Sequence, residues 1–255
     1  MRALIPFPLM LLAALPQDAI RSQAVDYKHG DVELQGFLAY DKNVKGKRPG
    51  VLIVHEWKGL GDYAKERAKQ IARLGYVAFA VDMYGKGVFA KDHAEAGQLS
   101  GAFFKDRALM RDRVKIAYDV LAKHERCDAT KIAAMGYCFG GTTVLEMARG
   151  GFEVKVVGSF HGNMSAPTAA EAGKVKAKVA VFHGADDKWV GDVEAFKKEM
   201  ADAKVDLKFH AFEGAVHSFT VKDAGDDASK GMAYSEKADK ESWDLWVKYL
   251  EEAFK

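Results

Sequence analysis

The sequence predicts an α/β protein with one mostly parallel sheet, helices on both faces of that sheet and an antiparallel hairpin at its N-terminal end. Short apolar runs such as Val51–Val54 and Val77–Val81 alternate with segments of helical spacing, which is typical of strands buried on both faces. No linker interrupts residues 25–255, so we expect a single domain there. In such sheets, functional sites gather where the strands end.

The elements follow from the spacing of apolar residues and from the positions of turn residues. Ala24–Lys28 and Val32–Tyr40 flank His29-Gly30-Asp31 and predict the hairpin. Residues 84–105 contain four glycines and are expected to be irregular. The further strands expected are Val51–Val54, Val77–Val81, Ile132–Met135, Val154–Phe160, Lys178–Phe182 and Val205–Phe212. The helices expected are Asp62–Leu74, Arg107–His124, Gly141–Arg149, Val193–Met200 and Asp239–Phe254.

The N-terminal residues have a different character from the rest of the chain. Met1-Arg2 is followed by Ala3–Leu15, an uncharged stretch that is too short to span a bilayer. A positive start, a short apolar core and small residues at Ser22 and Ala24 are typical of an export signal. We therefore predict an export signal over residues 1–24, cleavage after Ala24 and a periplasmic or secreted protein. The alternative is a frayed or docked N-terminal helix.

Charge and cysteine content narrow the classes of function. The formal net charge is +2, so no basic field favours nucleic acid, and no membrane association is expected once the signal is removed. Cys127 and Cys138 lie on either side of a predicted strand, too far apart for a disulfide. No two histidines have the spacing of metal ligands, and we expect neither a metal nor another cofactor.

Cys138 lies in the segment Gly136-Tyr137-Cys138-Phe139-Gly140, directly after an apolar run. A tight turn from a strand into a helix holds a nucleophile in a strained, exposed conformation, and it needs small neighbours because strand and helix come close together. The N-terminus of the following helix favours a thiolate. The alternative is a buried structural cysteine in a glycine-rich turn.

Cys138 requires a base and a group that orients this base, and both types of residue follow later strands. His183-Gly184-Ala185-Asp186-Asp187 follows the strand that ends at Phe182, and His217 follows the strand that ends at Phe212. The order nucleophile, acid, histidine is the one expected for this architecture. Of the other histidines, His161 either lines the pocket or is structural. The rest are expected to support loops or strands (His55, His183, His210) or to lie in surface loops (His29, His93, His124).

Four segments together resemble the dienelactone hydrolase family, a cysteine branch of the α/β-hydrolases, over nearly all of residues 25–255. They are Gly136-Tyr137-Cys138-Phe139-Gly140-Gly141, Val54-His55-Glu56-Trp57-Lys58-Gly59, Val81-Asp82-Met83-Tyr84-Gly85 and Ala215-Val216-His217-Ser218-Phe219. The resemblance implies Cys138 as nucleophile, His217 as base and Asp187 as the orienting acid, preferred over Asp186 because Lys188-Trp189-Val190 follows it.

The resemblance also implies roles for residues around these three. Glu56 occupies the place of a glutamate that contacts the resting thiol in the family. The backbone N–H groups of Trp57 and Phe139 would form the oxyanion hole. Tyr84 is a further candidate for the pocket lining.

One feature departs from the family. Its dienelactone-cleaving members bind a substrate carboxylate with two arginines, whereas this chain has Val221 at one of these positions and no arginine between Tyr84 and Lys105. The lysines that could substitute are Lys86, Lys91 and Lys222, but a lysine lacks the bidentate fork of arginine. The inserted stretch 222–240 either shapes the pocket mouth or forms a solvated loop.

These observations predict a carboxylic ester hydrolase of the carboxymethylenebutenolidase kind, which cleaves a small ester or lactone through Cys138, His217 and Asp187 and a thioester intermediate. Thioesterase or peptidase activity on the same scaffold is the first alternative. A non-catalytic binding protein is the second. A redox role for Cys138 is the third, although no Cys-x-x-Cys motif supports it.

Overall fold

The computed structural model describes residues 19–170 and 173–255, so most of the predicted export signal lies outside the described residues. The strands are β1 Ile20–His29, β2 Val32–Asp41, β3 Arg48–Val54, β4 Val77–Val81, β5 Cys127–Tyr137, β6 Val156–Phe160, β7 Lys178–Gly184 and β8 Leu207–Phe212. The α-helices are α1 Asp62–Arg73, α2 His93–Lys105, α3 Arg107–Lys123, α4 Phe139–Arg149, α5 Val193–Asp202 and α6 Glu236–Phe254. Two short 3₁₀ helices, Lys222–Ala224 and Ala228–Lys230, precede α6.

The strands form one sheet in the order β1-β2-β4-β3-β5-β6-β7-β8. The pairs β1–β2 and β2–β4 are antiparallel, and every pair from β4 to β8 is parallel. The predicted fold class is therefore confirmed, including the N-terminal hairpin. Because β4 and β5 lie on opposite sides of β3, the order of the chain reverses at β3, and the ends of β3 and β5 border the crevice where such sheets bind ligands.

Helices cover both faces of the sheet, as the continuous apolar strands require. Alternate residues of β3 enter two separate apolar clusters, with Leu52 in one cluster and Ile53 in the other. Helices α1 and α6 pack in the cluster of Ile53, whereas α3, α4 and α5 pack in that of Leu52. Burial on both faces fixes the position of each strand end, and these ends carry the candidate site.

The prediction of an irregular stretch over residues 84–105 is wrong for its second half, which forms α2. The side chain of Asp92 caps this helix by accepting a hydrogen bond from the N–H of Glu95 at 2.9 Å. Its inner face buries Ala96 and Phe103. Gly97 and Gly101 weaken the helical pattern in the sequence, because glycine is a poor helix former.

Several predicted strand ends also shift. β1 starts at Ile20 rather than Ala24, and Ile20–Ala24 pair with Phe37–Asp41 of β2. β5 starts at Cys127 rather than Ile132, so Cys127 and Cys138 stand at its two ends, and both are free cysteines. No helix in residues 19–170 and 173–255 is long and apolar enough to cross a membrane.

Candidate active site

Cys138 occupies the turn between β5 and α4 and has dihedral angles φ 53° and ψ −113°. An L-residue with positive φ is strained, so the surrounding structure must hold it there. The N–H of Cys138 donates to the carbonyl oxygen of Phe160 in β6 at 2.9 Å, and its own carbonyl accepts from the N–H of Thr142 at 3.1 Å. These bonds fix the turn, and Cys138 remains partly exposed.

The glycines around Cys138 are required by close backbone contacts, as the sequence predicts. A Cβ atom on Gly136 would lie 2.1 Å from the carbonyl oxygen of Gly140. A Cβ atom on Gly140 would lie 2.2 Å from the carbonyl oxygen of Val54 in β3. Since these neighbours are backbone atoms, they cannot move aside as a side chain can, and α4 approaches the sheet this closely only with glycine at both positions.

His217 and Asp187 lie together beside Cys138, at the ends of β8 and β7. The Nδ1 atom of His217 donates to Oδ2 of Asp187 at 2.7 Å, and Oδ1 of Asp187 accepts from the N–H of Trp189 at 2.9 Å. Asp187 is buried, whereas the alternative carboxyl of Asp186 is exposed. The structure therefore brings Asp187, not Asp186, to the histidine.

The electrostatic environment of His217 favours the imidazolium. Burial alone lowers the pKa of His217, but its hydrogen bonds to Asp187 and to Cys138 outweigh burial and raise this pKa well above its ordinary value. With Nδ1 bonded to Asp187, Nε2 is the atom left to exchange a proton with the thiol. The arrangement can thus hold an imidazolium beside a thiolate.

A cavity of about 300 Å³ opens above Cys138 and His217. Its lining is mostly aromatic or apolar, and none of the described residues in it is Lys, Arg, Asp or Glu. The residues are Trp57, His93, Phe104, Cys138, Phe139, Thr142, Asn163, Trp189, His217 and Met232. Trp189 is 50% exposed and Phe104 36%, so both stand at the mouth.

Glu56 lines a second, adjoining cavity of about 400 Å³ together with Lys58 and Asp223. The two cavities share Trp57, His93 and Met232 as a common wall. Burial raises the pKa of Glu56 to about 7, while the nearby charge of His217 opposes this rise. Glu56 therefore interacts electrostatically with His217. Its predicted contact with the thiol of Cys138 remains a prediction.

The two N–H groups predicted to form the oxyanion hole belong to residues on either side of Cys138. Phe139 is the first residue of α4, where an N–H has no acceptor within the helix. Trp57 follows β3 in the loop that faces α4, and its carbonyl oxygen accepts from the hydroxyl of Tyr84 at 2.9 Å. The lining of the first cavity includes both residues.

Tyr84 and His161, predicted as candidate pocket lining, are not among the residues that line the cavity and lie one layer behind it. The ring of Tyr84 packs against Phe139 at 5.4 Å between centroids. His161 is buried, its Nε2 lies 2.9 Å from Oγ1 of Thr220, and its ring meets that of His217 edge-on at 5.1 Å. Tyr84 therefore packs behind Phe139 and His161 behind His217, and these two front residues line the cavity.

His93 was expected in a surface loop, but it begins α2 and lines both cavities. Its ring lies 5.1 Å from that of Trp57, measured between centroids.

The inserted stretch 222–240 contributes Met232 to the lining of both cavities. The backbone of the preceding residue is hydrogen-bonded to His217, because the N–H of His217 donates to the carbonyl oxygen of Gly231 at 3.2 Å. Part of this stretch is thus pocket wall.

No group of three metal-ligating side chains occurs in residues 19–170 and 173–255. The sheet order, the strained cysteine on its turn and the histidine–carboxylate pair define an α/β-hydrolase. The family model of the dienelactone hydrolase family matches residues 34–254, and the chain belongs to that family.

Solved structures and a curated relative resemble this chain over nearly its whole length. The structure m3DLH is 34% identical with a TM-score of 0.89, covering 93% of this chain and 100% of that chain. P91, a dienelactone hydrolase-like promiscuous phosphotriesterase from metagenomic libraries, is 38% identical with a TM-score of 0.88 and the same coverage. Protein usf of Aquifex pyrophilus is 28% identical, over 90% of this chain and 98% of its own. The protein is accordingly a hydrolase of the dienelactone hydrolase kind.

Proposed function

We propose that the protein hydrolyses small neutral esters or lactones through a covalent thioester on Cys138, with His217 as base and Asp187 as its orienting carboxylate. The observation that supports this most directly is the chain of contacts from Cys138 through His217 to the buried carboxyl of Asp187. A strained nucleophile, a base and an orienting acid are the three parts of such a unit.

The reaction would proceed in two halves. The Cys138 thiolate attacks the carbonyl carbon, a C–S bond forms, and the carbonyl electron pair becomes an oxyanion that accepts hydrogen bonds from the N–H groups of Trp57 and Phe139. The intermediate then collapses, the C–O bond breaks, and the departing alkoxide takes the proton from His217. In the second half, His217 removes a proton from water, the hydroxide attacks the thioester, and the thiol leaves with that proton.

The lining of the cavity supports a neutral substrate. Apart from His217, which faces Cys138, none of the described residues that line it is cationic, and Val221 lines the adjoining cavity. None of the three lysines that could substitute lines this cavity: Lys86 pairs with Asp26 at 2.8 Å, Lys222 lies over the ring of Tyr234, and Lys91 is exposed. An uncharged apolar acyl group fits this environment better than an anionic one, because burying an unpaired charge is costly.

A second candidate substrate is a neutral phosphotriester. The lack of lysine and arginine among the described lining residues favours it for the same reason, and P91 is described as a promiscuous phosphotriesterase. Thioesters, peptides and simple binding without turnover are the remaining candidates. A panel of ester, lactone, thioester, peptide and phosphotriester substrates, assayed on one preparation, ranks these by kcat/KM.

The decisive variant is Cys138→Ala, which should lower ester turnover by at least about 10³-fold, because no other group can form the thioester. Cys127→Ala is the matched control and should retain activity, since burial raises the pKa of Cys127 to about 11 and leaves its thiol inert. Iodoacetamide should inactivate the wild type with one adduct, on Cys138. Substantial ester turnover by folded Cys138→Ala would refute the cysteine mechanism.

We also propose export to the periplasm or to the medium, on the pattern of residues 1–24. The expected cleavage point after Ala24 lies inside β1, whereas cleavage before Ile20 would leave this strand whole. The intact mass of the exported protein distinguishes the two positions. A soluble cytoplasmic product that retains residues 1–24 would contradict the proposal.

A further inference from the structure

His55, the residue that directly follows β3, is hydrogen-bonded on both ring nitrogens. The N–H of Met83 donates to Nε2 at 3.2 Å, so Nε2 is an acceptor and carries no proton. The neutral ring then carries its proton on Nδ1, which donates to the carbonyl oxygen of Glu56 at 2.5 Å. The two bonds therefore determine both the tautomer and the orientation of the imidazole.

The carbonyl that His55 holds belongs to the peptide unit that also contains the N–H of Trp57. A peptide unit is planar and trans, so its C=O and N–H point in opposite directions. Fixing the carbonyl oxygen of Glu56 therefore fixes the direction of the Trp57 N–H. The N–H of Gly59 also donates to this carbonyl, at 3.3 Å, and the hydroxyl of Tyr84 holds the next carbonyl, that of Trp57.

The surroundings of His55 keep its ring in place. His55 is 1% exposed, and its ring stacks on Phe139 with centroids 5.8 Å apart and an interplanar angle of 22°. Tyr84 meets the ring edge-on at 4.9 Å. Burial lowers the pKa of His55 to about 4, so the ring stays neutral near pH 7 and keeps this tautomer.

We propose that His55 is a positioning residue: its Nδ1–H holds the Glu56–Trp57 peptide so that the Trp57 N–H faces the oxyanion before substrate arrives. This inference rests on the proposed function, because it assumes an oxyanion at Cys138. Without the bond, only the longer bond from the N–H of Gly59 holds the carbonyl of Glu56. A peptide that rotates away from this position would turn that carbonyl, rather than an N–H, toward the developing negative charge.

Three variants of His55 test the proposal by what each retains. His55→Leu removes both hydrogen bonds, His55→Asn places an amide N–H near the position of Nδ1, and His55→Gln places its amide near Nε2. Removal of one oxyanion donor costs about 10²–10³-fold in kcat, so we expect His55→Leu to lower kcat by about 30- to 300-fold, with KM changed less than about threefold. His55→Asn should recover at least about a tenth of the wild-type kcat.

Two further measurements separate positioning from general damage. A trifluoromethyl ketone forms a hemithioketal with Cys138 whose oxygen occupies the oxyanion position. Its affinity should therefore fall in His55→Leu by about the same factor as kcat/KM. Alkylation of Cys138 by iodoacetamide forms no oxyanion, so its rate should stay within about twofold of the wild-type rate.

The proposal is overturned if folded His55→Leu keeps the wild-type kcat, or if ketone affinity and alkylation rate fall together. Should His55→Leu not fold, His55→Asn and His55→Gln still decide. The asparagine variant should exceed the glutamine variant in kcat by about tenfold, and equal values refute the inference. Failure of the cysteine mechanism itself would be seen separately, as ester turnover by Cys138→Ala.

Discussion

The two halves of the candidate site are held in place by different means. Cys138 is positioned by backbone: a strained turn, a hydrogen bond to β6 and glycines that let α4 approach β3 within contact distance. His217 is positioned by side chains: the carboxyl of Asp187 on one ring nitrogen and the rings of His161 and Trp189 around it.

This difference predicts two kinds of failure. A larger residue in place of Gly136 or Gly140 meets immovable backbone and should lower the stability of the fold. A change at His217 or Asp187 should leave the fold intact and reduce turnover. Stability and activity, measured together on variants of each side, test the distinction.

The largest effect is expected for Gly140→Ala on the nucleophile side. The new Cβ would lie 2.2 Å from the carbonyl oxygen of Val54 and 2.7 Å from that of His55. Overpacking against backbone should cost about 3 kcal/mol or more of the free energy of unfolding, measured by urea denaturation.

Gly97→Ala, in α2, is the control because nothing lies within 4 Å of its new Cβ. It should leave stability unchanged or raise it by up to about 1 kcal/mol, since alanine is the better helix former. If Gly140→Ala were as stable as Gly97→Ala, the distinction between the two halves would fail.

Asp187→Asn should have the next largest effect, on activity alone. The amide keeps an acceptor for the N–H of Trp189, but its NH₂ group can meet Nδ1 of His217, which favours the wrong tautomer of the base. We expect kcat to fall by about 10²–10⁴-fold, with the free energy of unfolding changed by less than about 2 kcal/mol.

Asp186→Asn is the matched control, because that carboxyl is exposed one residue earlier. Steady-state kinetics and urea denaturation of both variants provide the comparison. Equal activities of the two variants would place the orienting acid elsewhere.

Glu56→Gln should have the smallest effect, on the pH dependence of stability. The folded-state pKa of Glu56 is about 7, above its ordinary value of 4.5. Between pH 4.5 and pH 7, the carboxyl of Glu56 is ionised in the unfolded chain but protonated in the folded protein. The free energy of unfolding of the wild type should therefore fall as the pH rises from about 4.5 to about 7. Urea denaturation at pH 8 should find Glu56→Gln about 1–3 kcal/mol more stable than the wild type, with no such difference near pH 4.5.

Glu56→Gln also shows whether Glu56 acts on His217 or on the thiol of Cys138. If Glu56 acts on His217, Glu56→Gln should shift the pH profile of kcat and leave the alkylation rate of Cys138 unchanged. If it acts on the thiol, the alkylation rate should change as well. Glu213→Gln, at an exposed carboxyl, is the control and should change neither.

The nucleophile side was predictable from the sequence because its causes are local. Glycines at 136 and 140 around one cysteine, directly after an apolar run, specify a tight turn at the end of a buried strand. The structure has that turn at Cys138. The sequence predicts glycines there because strand and helix come close together, and in the structure a Cβ on Gly136 or Gly140 would indeed clash with backbone atoms. The positions of Asp187 and His217 beside Cys138 were predictable because each lies in the loop that follows a strand.

The walls of the pocket were not predictable, because they depend on contacts between distant segments. His93 enters the site only because α2 forms, and two glycines conceal that helix in the sequence. Met232 reaches both cavities from an insertion whose polarity is typical of a surface loop. Tyr84 and His161 follow strands, as a site residue should, but rings in front of them take the positions on the cavity wall.

The backbone conformation of Cys138 implies a trade-off between stability and activity at this position. Its dihedral angles match the first central position of a type II′ turn, where glycine predominates. A cysteine there costs the folded state on the order of 1 kcal/mol relative to glycine. Cys138→Gly, which the proposed mechanism makes inactive, should therefore be more stable than the wild type. A selection for thermostability alone would then favour loss of the proposed nucleophile.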